Sequence, residues 1–180
     1  FPTDINAIEY TDANDRFTKG EGVFMFNGDW QNAAYDANMA GNVSFFLMPP
    51  AEEGGSPAAM SAPLTYGIAA NAKHPDCAAF FLTWVASNDA AREIDVKIGG
   101  SNPGGPADAT MPAVTEGSVT NETLAAGPVV GKAGTSMDFI ANATSAIFAQ
   151  GWTPELQKMV GGKQDAAGLL KAVQEEYLRE

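Results

Sequence analysis

The feature that most constrains this chain is the stretch Val23-Phe24-Met25-Phe26-Asn27-Gly28-Asp29-Trp30. Four apolar residues in a row predict a short strand buried on both faces. Asn27-Gly28 ends it, and the run from Gln31 to Ala40, closed by Gly41, predicts a helix. Asp29 and Trp30 then sit at the carboxyl end of the strand, where open α/β sheets bind ligands. A carboxylate beside an indole suits a sugar. The ring covers the C–H face of the sugar, and the carboxylate accepts its hydroxyl protons. The plainer reading is that Trp30 anchors a core or an interface and Asp29 starts a helix. On these two residues alone the plainer reading carries more weight.

The remaining segments predict an α/β layer architecture. Residues 1–19 read as a weakly amphipathic helix or helix pair closed by Gly20. Val43 to Met48 is a second buried strand, ended by Pro49-Pro50. Ala51 to Ser61 reads as loop, and Leu64 to Ala69 as a third strand. Pro75 suits the first turn of a helix over Asp76–Ala86, whose apolar face carries Ala78, Phe81, Leu82 and Val85. Ser87 or Asn88 can cap the next helix, Asp89 to Ile98, which Gly99-Gly100 ends. Ser101–Pro112 reads as loop, Val114–Ala126 as ambiguous, and Gly127–Gly134 again as loop. Met137–Gln150 predicts a helix, Gly151-Trp152-Thr153-Pro154 a break, and Gln164–Leu178 a last helix with Leu169, Leu170, Val173 and Tyr177 on one face. Three strands make a thin sheet for this many helices.

The bulk properties exclude several classes. A chain of 180 residues can bury a core of its own. Its formal charge of −12 disfavours nucleic acid and anionic membrane surfaces, which reward basic patches. No apolar run approaches the length that spans a bilayer. Cys77 is the single cysteine, so no intrachain disulfide is possible, and it reads as a small buried hydrophobe. His74 is the single histidine and precedes Pro75 at a helix start, which makes it a surface boundary residue. A zinc cluster has too few ligands of the usual kind. Gly-x-Gly-x-x-Gly, Walker A, His-Glu-x-x-His and Gly-x-Ser-x-Gly are all absent, and no cofactor is expected. The three Asn-x-Ser/Thr matches, at Asn42, Asn121 and Asn142, read as chance. Asp29 and Asp138 could form a carboxylate pair for glycoside chemistry, but nothing marks either as a proton donor.

The order of segments resembles the C-terminal half of a bacterial extracellular solute-binding protein of family 1, the sugar-binding kind that serves ABC importers and includes the maltodextrin-binding protein. The resemblance rests on Phe17-Thr18-Lys19-Gly20-Glu21-Gly22-Val23 leading into the Val23–Trp30 stretch, and on Met48-Pro49-Pro50. It continues through Tyr66-Gly67-Ile68-Ala69-Ala70-Asn71-Ala72-Lys73-His74-Pro75, the helix Cys77 to Val85, and Gly99-Gly100-Ser101-Asn102-Pro103. Each motif is weak alone, while their order across nearly the whole chain is more specific.

The resemblance implies a periplasmic-binding-protein-like fold of type II, with two lobes and a ligand cleft between them. It implies that residues 1–66 and 113–180 belong to the C-terminal lobe. Residues 67–112 would cross the hinge and supply a segment of the N-terminal lobe, most of which would lie outside this piece. The implied ligand-binding set is Asn27, Asp29, Trp30, Tyr66, Asp138 and Phe139, with Trp30 as the stacking aromatic. The implied partners are a small carbohydrate and an ABC permease in the membrane. The implied location is extracytoplasmic, in the periplasm or lipid-anchored at the outer face of the cell membrane. No chemistry is expected on the ligand. Three rivals stand beside this reading: the same architecture binding a polyamine, phosphate or metal chelate, a carbohydrate-active enzyme fragment, and an interaction domain.

Overall fold

The structure, a computed structural model, describes residues 2–60, 66–103, 110–139 and 144–179. In chain order, the elements among these residues are α1 (Tyr10–Thr18), α2 (Asn32–Met39), β1 (Ala59–Met60), α3 (Pro75–Ser87), α4 (Asp89–Ile94), α5 (Val119–Ala133), β2 (Ser136–Met137), α6 (Thr153–Val160) and α7 (Ala166–Tyr177). Short 3-10 turns cover Ile5–Ala7 and Asp29–Gln31, and π-helical turns cover Asp95–Gly99 and Ile147–Trp152. The result is mixed and mostly helical, with one two-stranded parallel sheet that pairs Ala59 with Ser136 and Met60 with Met137. The chain divides into two compact units, Phe1–Val23 with Asp138–Glu180, and Phe24–Met137.

In the first unit, α6 and α7 pack on the π-helical turn Ile147–Trp152, and Ile147 and Leu169 form its buried apolar centre. Gly151 allows this approach: a Cβ there would stand 3.2 Å from the Cβ of Glu176. Asp165 caps α7 by accepting from the Gly168 N–H at 2.8 Å. The inward stripe of α7 is Leu169, Val173 and Glu176, while Leu170, Tyr177 and Leu178 face out. Asn6 ties the N-terminal turn to α6 by donating to the Gln157 carbonyl at 3.1 Å.

The second unit is centred on Tyr35, Ala91, Val96, Val119 and Val130. Helix α3 starts with Pro75 in its first turn and presents Ala78, Leu82 and Val85 inward. Asn88 caps α4, its Oδ1 accepting from the N–H groups of Ala90 and Ala91. Helix α5 begins at the Ser118 cap and ends at Gly134, whose φ of +65° closes it in the left-handed region.

Several sequence expectations are corrected. Val23–Phe26 is not a buried strand: no described residue supplies it a ladder partner, and Val23, Phe24 and Phe26 are exposed. Val43–Met48 is extended, with Val43, Phe45 and Leu47 half-buried in alternation. Among the described residues it forms one bridge, Met48 to Ala58, and no regular strand. Tyr66–Ala69 is not a strand, and Leu64 and Thr65 lie outside the described residues. Cys77 is exposed on α3 and not buried. The expected loop Gly127–Gly134 is mostly the second half of α5, which runs through Pro128 because Val130 is buried and α5 packs on α2.

The helix expected from Met137 does not start there. Met137 is drawn into β2, beside the hydrogen bond from the Thr135 hydroxyl to the Pro57 carbonyl. Residues after Thr144 are helical, the Thr144 Oγ1 accepting from the Ile147 N–H at 3.2 Å, and Ile140 and Ala141 lie outside the described residues. The break expected at Gly151-Trp152 is a π-helical turn that runs directly into α6.

Candidate functional site

The turn after Phe26 is built by its own polar side chains. Asn27 donates from Nδ2 to the hydroxyl of the buried Tyr35 at 2.8 Å, and its Oδ1 accepts from the Gly28 N–H at 2.9 Å. The amide thus clamps the turn to α2 one helical turn further on. The chain then makes the 3-10 turn Asp29–Gln31 and enters α2 at Asn32.

Three hydrogen bonds tie this turn and the start of α2 to the segment after Gly99 and to α5. Asp29 Oδ2 accepts from the Asn102 N–H at 2.7 Å. Asn32, only 2% exposed, donates from Nδ2 to the Gly100 carbonyl at 2.9 Å and to the Thr123 Oγ1 at 2.7 Å. Gly100 has φ +71°, and a Cβ on it would fall 2.6 Å from the Ala33 nitrogen, so both backbone and space require glycine. The π-helical turn Asp95–Gly99 delivers Gly100 to this place, with Val96 fully buried beneath it.

Trp30 is 52% exposed. Its six-membered ring lies over Gly28: a Cβ at position 28 would be 2.2 to 2.5 Å from ring atoms Cζ3, Cη2 and Cε3. A large aromatic surface therefore faces solvent beside a carboxylate. The Asp95 carboxyl is held above the ordinary aspartate range, first by burial and second by the negative charge of Asp29, against the opposing charge of Arg92. Arg92 is buried and donates to the Ala86 carbonyl and toward the Met111 sulfur.

The structure gathers Asn27, Asp29 and Trp30 on one turn. Tyr66 belongs to the same unit and is 71% exposed. Asp138 and Phe139 belong to the other unit, just after β2 and in no helix. Sequence reasoning missed Asn32, Tyr35, Gly100 and Thr123, which hold the turn in place. Gly100 was visible as a helix end and as part of a family-like turn, and Asn32 carried no signal, because its partner Thr123 lies 91 residues away. A groove of about 720 Å³ opens elsewhere in the same unit, lined by residues including Gly41, Val43, Val96, Lys97 and Glu116, and none of the expected ligand residues lines it. Among the described residues no group of three His, Cys, Asp or Glu side chains is placed to hold a metal, and no helix is long and apolar enough to cross a membrane.

Residues 2–92 match the family model of the bacterial extracellular solute-binding proteins. The match spans just over half of the chain and includes the whole Asn27–Trp30 turn and Tyr66, and the chain belongs to this family. Membership makes it an extracytoplasmic solute-binding component of an ABC importer, with a small-molecule ligand and a membrane permease as its partners. Proteins of this family are in general not enzymes. No curated protein matches the chain.

Proposed function

We propose that the solute is a sugar or oligosaccharide and that Trp30 is its stacking platform. The observation that carries this reading is the half-exposed indole held beside Asp29 on a turn with fixed geometry. A sugar offers a C–H face to such a ring and hydroxyls to a carboxylate. One oxygen of Asp29 holds Asn102, and a carboxylate has a second that can accept a hydroxyl. Tyr66 supplies a second exposed ring. Asn27, on the same turn, is a further ligand candidate, and Asp138 and Phe139 are candidates in their own unit. In keeping with the family resemblance, the fold is proposed as a type II periplasmic-binding architecture. Residues 1–66 and 113–180 are assigned to its C-terminal lobe and 67–112 to the hinge crossing and part of the other lobe. Closure around the ligand would present the permease with a state distinct from the open one.

The test is titration calorimetry of the full-length protein against a panel of mono- and oligosaccharides. Trp30→Ala is expected to weaken binding of the responsive sugar by about 1–3 kcal/mol, the scale of one buried aromatic. Unchanged affinity removes Trp30 from the site. A folded full-length protein that answers to no saccharide directs the search to a non-sugar solute.

A further inference from the structure

The backbone does not explain why position 28 is glycine. Its φ of −108° and ψ of 171° are extended, and any residue adopts them. What excludes a side chain is the Trp30 ring, three of whose carbon atoms stand 2.2 to 2.5 Å from where a Cβ would be. Gly28 itself is held: its N–H donates to Asn27 Oδ1, and Asn27 is anchored on the Tyr35 hydroxyl at the buried side of α2. Asp29 and Asn32 fasten the turn to Asn102 and Gly100. The ring thus rests against a pinned stretch of backbone, and Trp30 stays about half exposed.

We propose that Gly28 is the seat of the Trp30 indole and a specificity-determining position for the ligand, with Asn27 as the positioning residue that fixes the seat. The second half of this proposal rests on the sugar reading given above, and the first half does not. A methyl group at position 28 lifts or swings the ring, because the ring is the end of a side chain that can rotate and the backbone is fastened at both ends. A displaced ring offers a different plane to the ligand, and stacking depends on the plane. Asn27→Ala frees the seat while leaving the ring its space, and the indole gains motion without a new clash.

The experiment uses the full-length protein in a background where Trp84 and Trp152 are Phe, together with any tryptophans outside this chain, so that fluorescence reports Trp30 alone. Acrylamide quenching and time-resolved anisotropy are measured without ligand, and far-UV circular dichroism checks the fold. Gly28→Ala is expected to raise the quenching constant about twofold and to shift the emission maximum at unchanged dichroism. Asn27→Ala is expected to lower the anisotropy of the indole by a smaller step, and Asn27→Asp, which keeps the acceptor for the Gly28 N–H, to restore part of it. Quenching and emission unchanged by Gly28→Ala overturn the seat, whatever the ligand is.

Affinity is then measured with maltotriose and with glucose as the probes. A fall of fivefold or more in Gly28→Ala, unequal for the two sugars, supports the specificity role. A ring that moves while both affinities stay the same overturns that role. A parent protein that binds neither probe, nor any other saccharide of the panel, counts against the sugar reading and overturns the specificity half, while the ligand-free measurements decide the seat by themselves. Should Gly28→Ala fail to fold, Gly28→Ser combined with Trp30→Ala separates the causes: recovery of the fold on removing the indole supports the seat, and continued misfolding overturns it.

Discussion

Val23-Phe24-Met25-Phe26 is wholly apolar and mostly exposed, whereas Val119-Thr120-Asn121-Glu122-Thr123 is mostly polar and mostly buried. Hydrophobicity alone predicts the reverse. The difference lies in where the polar groups go. A strand buries only if its N–H and C=O groups find a ladder, and no described residue gives one to Val23–Phe26. Its Phe24 ring meets Phe46 edge to face, with centroids 6.0 Å apart. The α5 start has partners for nearly everything it carries. Asp36 accepts from the Val119 N–H, the Thr120 N–H and the Thr120 hydroxyl, and Glu122 accepts from the Ser44 hydroxyl and the Phe45 N–H. Thr123 accepts from Asn32 and donates back into its own helix. Satisfied polar groups tolerate burial, and apolar groups without a scaffold do not achieve it.

The most damaging way to break this contrast is at the Asn32 node. Asn32→Ala leaves the Gly100 carbonyl and the Thr123 hydroxyl buried with one partner fewer. It is expected to cost about 3 kcal/mol in chemical denaturation. Gly100→Ala is expected to cost a similar amount, since it adds backbone strain to a steric clash. A loss below about 1 kcal/mol in both would mean that the node does not hold the turn.

Next in size is Asp36→Ala, which removes the side-chain acceptor for the α5 N-terminus. It is expected to lower stability by about 1–2 kcal/mol, read from the thermal midpoint. On the exposed side of the comparison, Phe24→Ser is expected to change unfolding free energy by no more than about 0.5 kcal/mol, because Phe24 is already 71% exposed. A loss of several kcal/mol would show that the apolar run has a partner in solution.

The smallest effect is electrostatic. The Asp95 carboxyl is raised above the ordinary aspartate range by partial desolvation and by the charge of Asp29. The folded state therefore holds this proton more tightly than the unfolded chain does. Its contribution to stability is greatest below the ordinary aspartate pKa and declines as pH rises through the raised folded value. Asp95 lies near the surface, and solvent screening limits the effect to a few tenths of a kcal/mol. Asp95→Asn should flatten this part of the stability–pH curve and leave protein at neutral pH slightly more stable. A steeper curve in the variant would reverse the assigned direction.

The parts of the fold legible in the sequence are those whose causes are local. Pro75 in the first turn of α3, the Asn88 cap of α4, the helix of α2 and the closing helix α7 all follow from residues within a few positions of one another. The turn that carries Asp29 and Trp30 was legible for the same reason, as Asn27-Gly28 interrupting an apolar run. The family was legible in the order of such local motifs, and the matched residues 2–92 hold most of them. The strands were not legible, because a strand exists only through its neighbour: Ala59–Met60 is paired with residues 77 positions away. The extent of α5 was hidden behind Gly127, Pro128 and Gly131, whose low helix propensity is outweighed by its packing on α2. Nor could the sequence show that Asn32 reaches Gly100 and Thr123, or that the Trp30 ring lies over Gly28. Local rotamer, cap and turn preferences act on the chain wherever it is, so the sequence determines them by itself. A buried hydrogen bond across 68 or 91 residues gains its strength only once folding has removed both partners from water, and that was for the tertiary structure to decide.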